Sequence, residues 1–430
     1  MAEDPRVDHA KDGIARHAHV GALASIRNVA ALIGAVSICQ LATGLLGVHI
    51  PLAVGAHGIS RSGLGLISAM YAAGFMLGAA MGPMLMARVG HIRVFAAAGA
   101  TAAAFTLWLY WAQSLPSWVA LRFSAGFFVA CLFGSAESWM NGALGRAERG
   151  GVLGFYHVCT KVALACGPFL IAGASALAAE PLMTAAVCFA LALLPICLTS
   201  QAQPEAPKAQ PLAIQALFHT APAAVIASFG DGVINGAVLS FAPLFADRTF
   251  GMGSAAGFQA AAWGGALLLQ WPAGRLSDRV DRRMVIAALV LSAGLAAGGL
   301  AIFGAALPFW AAALLFAAWG SGGLSYYGLA AAHMADRAEP GQIPRATAGL
   351  LFIWAGGSIL GPALVGVLTQ AFGLGAMFWF AAGASLCVGA AMFWRRAARD
   401  TPIARAPFAN KTETSISAAE LTYGQRGGQD

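Results

Sequence analysis

The sequence predicts an all-α membrane protein with twelve transmembrane helices in two six-helix, pseudo-symmetric halves. Three observations carry that prediction. Of 430 residues, 59% are hydrophobic and only 10% charged, where ordinary globular domains carry about 25% charged residues. Apolar stretches of the ~20 residues that a helix needs to cross a bilayer recur twelve times along the chain. Landmarks of the first half also return in the second at a nearly constant offset. So little charge excludes a soluble enzyme, a disordered chain and a nucleic-acid binder.

Residues 1–27, with Glu3, Asp4, Asp8 and Asp12, lack the basic and apolar regions of a secretory signal and read as a cytosolic N-terminal tail. The first half, 28–199, holds spans near 28–54, 62–86, 94–113, 117–142, 150–177 and 181–199. A polar bridge at 200–217, with Gln201, Pro204, Glu205, Pro207, Lys208 and Pro211, reads as a cytosolic linker. The second half, 218–394, holds spans near 218–246, 252–273, 284–304, 308–332, 346–372 and 374–394. Residues 395–430 are basic and then polar, a C-terminal cytosolic tail. Most connectors are short, so neighbouring helices run antiparallel.

The two halves align at an offset of 191 to 194 residues. Ala87-Arg88-Val89-Gly90 answers to Asp278-Arg279-Val280-Asp281, Leu115-Pro116 to Leu307-Pro308, and Gly167-Pro168 to Gly361-Pro362. Repeated membrane halves are the architecture of secondary transporters, in which the solute site lies near the midplane and the halves rock about it. Alternating access is the expected mechanism.

Charge sets the expected orientation. The net charge is +7, and with a cytosolic amino terminus only Arg61 and Arg248 fall in outer loops. Arg122 and Lys161 lie in spans, and every other Lys and Arg faces the cytosol, as the positive-inside bias requires. The expected setting is a bacterial inner membrane, crossed many times, with both termini cytosolic and the chain a monomer. The seven cysteines all lie in apolar stretches and read as packing residues, so no metal and no cofactor are expected.

The loop from Gly274 through Asp278, Arg279, Asp281, Arg282 and Arg283 is similar to the signature loop of the major facilitator superfamily, G-x-x-x-D-R-x-G-R-R, with Asp281 for the usual glycine. The counterpart after span two keeps Arg88, Gly90 and Arg93 but has Ala87 in place of the aspartate. The segments Trp118 to Gly126, Glu137-Ser138, Gln270 to Gly274 and Gly357 to Pro362 resemble the narrower YcaD-like branch. The resemblance implies a major facilitator fold in which Asp278, Arg279, Arg282 and Arg283 help lock the inward side. The loss at Ala87 implies an asymmetric lock. In span four, Arg122-x-x-x-Gly126 is similar to a superfamily motif whose arginine is implicated in proton coupling, although Ala125 stands where glutamine is usual. In span five, Ala163-x-x-x-Gly167-Pro168 resembles an antiporter motif that tracks with export, with Ala163 and Ile171-Ala172 departing from it.

Four charges fall well inside spans: Arg122, Glu137, Lys161 and Asp231. A charge at helix centre costs at least ~2.5 kcal/mol and usually faces the bundle interior or a wet cavity. Arg122 and Glu137 lie about 22 Å apart along one helix and cannot pair. Glu137, His157 and Lys161 can form a cluster between spans four and five, as a proton site or as a permanent ion pair. Lys161 can instead reach Asp231 in the other half. Gln40, Thr43 and Asn235 offer neutral hydrogen-bonding groups to a cavity or to helix packing. Gly167-Pro168 and Gly361-Pro362 are read as bends with close helix contact. Trp108, Trp111, Trp118, Trp310 and Trp394 are placed at the membrane interface. Trp139, Trp263, Trp319, Tyr326, Tyr327 and Trp354 lie deeper and are read as cavity or core.

The expected function is rocker-switch transport of a small organic solute, coupled to protons and directed outward. An importer of a sugar or organic acid is the alternative within transport, and a non-transporting sensor the alternative outside it. No H-E-x-x-H or G-x-S-x-G supports an intramembrane enzyme.

Overall fold

The computed structural model describes residues 5–144, 149–171, 173–199, 214–339 and 342–398; the linker expected at 200–217 lies outside them up to residue 213, as does the tail from 399 onward. Within the described residues every regular element is helical. In chain order they are α1 (Pro5–Ala56), α2 (Arg61–Val89), α3 (His91–Trp108), α4 (Leu115–Ala143), α5 (Arg149–Cys166), α6 (Glu180–Leu191), α7 (Leu193–Cys197) and α8 (Ile214–Thr220). They continue with α9 (Pro222–Phe250), α10 (Ser254–Arg279), α11 (Arg282–Phe303), α12 (Phe309–Gly323), α13 (Tyr326–Arg337), α14 (Ile343–Phe372) and α15 (Ala376–Ala398).

Among the described residues, ten helical spans are long and apolar enough to cross a membrane, and each coincides with an expected span. The other two expected spans differ for reasons visible in the residues. α10 has the length, 26 residues, but carries Gln259, Gln270, Arg275 and Arg279. The stretch at 308–332 is two helices, α12 and α13, because the run Gly320-Ser-Gly-Gly commits the backbone weakly to a helix and the chain leaves it at Leu324 and Ser325. α1 begins at Pro5, the favoured first helical position, and meets no further proline until Pro51. α15 carries its helix four residues past the expected boundary at 394.

The repeat is visible in the helix starts. α10, α11, α12, α14 and α15 begin 191 to 196 residues after α2, α3, α4, α5 and α6. It is visible again in the packing. A Cβ on Gly167 would meet Leu41 O of α1 at 2.1 Å, and one on its repeat mate Gly361 would meet Val233 O of α9 at 2.1 Å. Likewise Gly126 presses α4 against Tyr71 O of α2 at 2.1 Å, and Gly320 presses α12 against Ala262 O of α10 at 2.2 Å. Backbones this close admit only glycine, so the same small-residue seams hold each half together.

The prolines behave unequally. At Gly167-Pro168 the helix tightens to a 3-10 turn that ends at Ile171, so the span expected to reach 177 stops early. At Gly361-Pro362 α14 continues to Phe372 as one helix, with Pro362 inside it and Gly361 pressed against the α9 backbone at Val233.

Alternating helix directions define two faces. One is rich in arginine and carries the α2–α3 and α10–α11 turns; the opposite face carries Arg61 and Arg248. At the Arg61 face the halves meet through α2 and α14: Arg61 Nη1 donates to Thr369 O at 2.8 Å, and its backbone N–H donates to Gln370 Oε1 at 3.0 Å. A Cβ on Gly65 would lie 2.4 Å from Pro362 O. Deeper in, the Lys161 ammonium of α5 donates to Gln270 Oε1 of α10.

Candidate functional site

Between the halves, at mid-helix depth, lies a cavity of about 290 Å³ to which α1, α2, α4, α9, α10 and α14 all contribute. Of the residues singled out from sequence, Gln40, Arg122 and Asn235 line it, with Thr43 beside Gln40. Arg122 is positioned by packing. Gly126 brings α4 onto the backbone of Tyr71, and one turn earlier the Arg122 guanidinium carbon sits 4.0 Å over the Tyr71 ring. Among the described residues Arg122 has no carboxylate partner and no hydrogen-bond acceptor, and its Nε is buried.

Asp231 is fully buried behind this wall instead of lining it. Its Oδ2 accepts from Asn235 Nδ2 at 2.9 Å and from Trp354 Nε1 at 2.9 Å, so it orients two side chains that do line the cavity. Asn235 also donates to Gly323 O at 3.0 Å, the carbonyl of the last residue of α12. The break thus supplies an anchor next to the site, as discontinuous helices do in transporters.

Glu137, His157 and Lys161 form a second buried set on α4 and α5, outside the cavity lining. Tyr156 Oη donates to Glu137 Oε1 at 3.4 Å, and Lys161 is tied to Gln270 of the other half. One cross-half partner of Lys161 is thus an amide on α10. Gln270 and Tyr156 were not singled out as site residues, because only the three-dimensional fold brings them to the charges.

On the arginine-rich face, Arg282 is 2% exposed and its Nε meets Asp336 Oδ2 at 2.7 Å, while its Nη1 reaches Ser277 Oγ at 2.8 Å and Asp278 Oδ1 at 3.3 Å. Ser277 Oγ in turn donates to Gly274 O at 2.7 Å. Asp281, the departure from the signature, caps α11: its Oδ1 accepts from Arg283 N at 2.9 Å, and its Oδ2 pairs with Arg283 Nη2 at 2.7 Å. Burial alone raises the Asp281 carboxyl, yet the hydrogen bonds and charge of Arg283 outweigh it and hold it at about 2. Arg283 Nη1 also donates to Arg395 O at 2.8 Å. These contacts bind α10, α11, α13 and α15, all within the second half, and Asp336 is a member the signature did not reveal. Arg279 is exposed. In the first half Gly90 turns the chain with φ 85°, a conformation that favours glycine, while Arg88 and Arg93 are exposed.

The aromatics divide. Trp263 and Trp354 line the cavity, whereas Trp139 and Trp319 are core; Trp319 stacks on Phe316 at 4.9 Å. Trp108, Trp111, Trp310 and Trp394 are exposed at helix ends, as interface anchors are. Trp118 is the exception at 1% exposure, part of the buried core with His57 against its ring at 5.9 Å. Tyr71, Gln259 and Ser358 also line the cavity.

Two repeated helical halves around a mostly apolar cavity with a few polar groups at mid-depth fit a multi-pass membrane transporter. The Major Facilitator Superfamily profile matches residues 32–338 and 260–424, and the chain belongs to that superfamily. The uncharacterized MFS-type transporter YcaD of Escherichia coli is 26% identical over 362 residues, 84% of this chain and 93% of the relative, and YcaD of Shigella sonnei matches to the same extent. Among solved structures, the nucleoside transporter NupG superposes with TM-score 0.70 at 13% identity, covering 85% of this chain and 98% of that one. A D-xylose–proton symporter superposes with TM-score 0.65 at 17% identity, covering 86% and 97%.

Proposed function

We propose that this chain is a proton-coupled exporter of a small organic solute, working by rocker-switch alternating access in a bacterial inner membrane with its arginine-rich face toward the cytosol. The observation that carries the reading is the pairing of a solute-sized cavity between the halves with a separate buried carboxyl, Glu137, next to the helix whose Lys161 holds the opposite half. When the halves tilt, the Lys161–Gln270 contact breaks, and the released ammonium changes the field at α4. Glu137 then takes or gives its proton with the movement. The arginine distribution supports the orientation. The Gly167-Pro168 turn against α1 supports the outward direction, since its sequence is similar to the antiporter motif.

Transport in membrane vesicles of both orientations tests the reading. Export coupled to protons predicts uptake into inverted vesicles driven by an acidic interior, abolished in Glu137→Gln while solute exchange without a gradient persists. Gradient-driven transport that is unchanged in Glu137→Gln removes Glu137 from the mechanism. Arg122 favours a second reading, import of an organic acid, which predicts accumulation in right-side-out vesicles instead.

A further inference from the structure

We infer that the cavity takes a monocarboxylate: an organic acid with one negative charge, carrying a hydroxyl or N–H donor on a flat, apolar body. The inference rests on the transporter reading and adds the chemical class of the solute.

Among the described residues, Arg122 is the only charged side chain in the lining. The guanidinium carbon sits 4.0 Å from the Tyr71 ring centroid, a cation–π contact that holds the group and its five N–H donors at the cavity wall. None of them meets an acceptor among the described residues. A planar fork of in-plane donors matches the two oxygens of a carboxylate, and the match is strongest where water is scarce. An arginine held without a counter-ion at this depth costs stability, which argues for a role toward a ligand over a packing role.

One cation sets the charge at one. Asp231, the acid behind the wall, is negative or neutral but never positive, and its Oδ2 is already occupied by Asn235 and Trp354. A dianion such as a phosphate ester would have a single cation against two charges. A cationic solute would meet the like charge of Arg122, and the Tyr71 face that could hold it is covered.

The remaining polar atoms ask for donors. Gln259 Oε1 and Asn235 Oδ1 are buried with no hydrogen-bond partner, and so is Ser358 Oγ. Because Pro362 has no N–H, the Ser358 carbonyl also lacks its helical donor. A solute hydroxyl or N–H satisfies such acceptors. Phe75, Trp263 and Trp354 supply apolar walls, with Phe75 and Trp354 edge to face at 6.5 Å. The volume of about 290 Å³ sits at the small end of ligand sites.

The test uses purified full-length protein and matched probes: benzoate, 4-hydroxybenzoate and indole-3-acetate, their neutral carboxamides, benzylamine and phenyl phosphate, read by calorimetric titration. The expected result is binding of at least one acid with its carboxamide weaker by about tenfold or more. Arg122→Gln is expected to erase the acid preference and Arg122→Lys to keep part of it. If Arg122→Gln fails to fold, the acid-to-amide ratio of the unaltered protein decides. The inference is overturned if no acid binds, if an amide, the amine or the phosphate binds best, or if folded Arg122→Gln retains the preference. Vesicle flux of a neutral solute would retire the carboxylate and leave the transporter reading standing. Acid binding without flux in either orientation would support the carboxylate and retire the transporter reading.

Discussion

Gly65→Ala is expected to shift the protein toward the state open at the Arg61 face. Its Cβ would lie 2.4 Å from Pro362 O and 2.9 Å from the Gly366 Cα, both across the boundary between halves. Ordinary carbon-to-carbonyl contacts are ~3.3 Å or more, so α2 and α14 must separate by about 1 Å. Overpacking of this kind costs about 1–3 kcal/mol where the helices touch, and nothing where they have parted. The open population therefore rises by a factor of about 5 to 150. The assay is labelling of a cysteine at Ser240, in the cavity wall, by a membrane-impermeant reagent applied from the Arg61 face, in a background with the seven native cysteines replaced. Gly44→Ala is the control, since its Cβ would strike Leu164 O at 2.0 Å within one half. Both variants lower thermal stability, and only Gly65→Ala speeds labelling. Equal labelling in Gly65→Ala and the unaltered protein, or acceleration in both variants, refutes the reasoning.

Asp336→Ala removes the nearer of two carboxylates paired with the buried Arg282 and should cost about 2–3 kcal/mol, whereas Asp278→Ala removes a longer, partly exposed contact and should cost about 1 kcal/mol or less. Thermal unfolding in detergent checks the order, and equal losses would show that Arg282 does not depend on Asp336. Asp281→Asn removes a carboxylate whose folded pKa lies below its unfolded value, so the stabilisation it provides is complete above about pH 4 and is lost as pH falls toward about 2. The stability gap between Asp281→Asn and the unaltered protein should be constant from about pH 5 to 8 and close in acid; a gap that varies across the neutral range contradicts the assignment.

The halves and most helices were legible because membrane length and the repeat of Leu115-Pro116 and Gly167-Pro168 are one-dimensional signals. Arg122, Gln40 and Asn235 stood out because polar atoms in an apolar run are costly and therefore conspicuous. Tyr71, Trp354 and Ser358 did not, since an aromatic or hydroxyl residue in a span reads equally well as packing. Asp231 was conspicuous for the same reason as Arg122, but its layer behind Asn235 and Trp354 depends on helix rotation that composition does not encode. Lys161–Gln270 and Arg282–Asp336 join residues 109 and 54 positions apart, a pairing that needs the fold. The break at Leu324 was hidden because glycine permits a continuous helix as readily as an interrupted one when neighbours are unknown.

Spin-label distances across both faces test alternating access most directly. One pair, Leu177 and Met252, spans the halves at the Arg61 face, and the other, Val89 and Val280, spans them at the arginine-rich face; all four side chains are exposed. Rocking about the central cavity predicts two populations in each pair, anticorrelated so that Gly65→Ala lengthens the first distance and shortens the second. Distances that move together, or that stay single and unchanged in both pairs, contradict it.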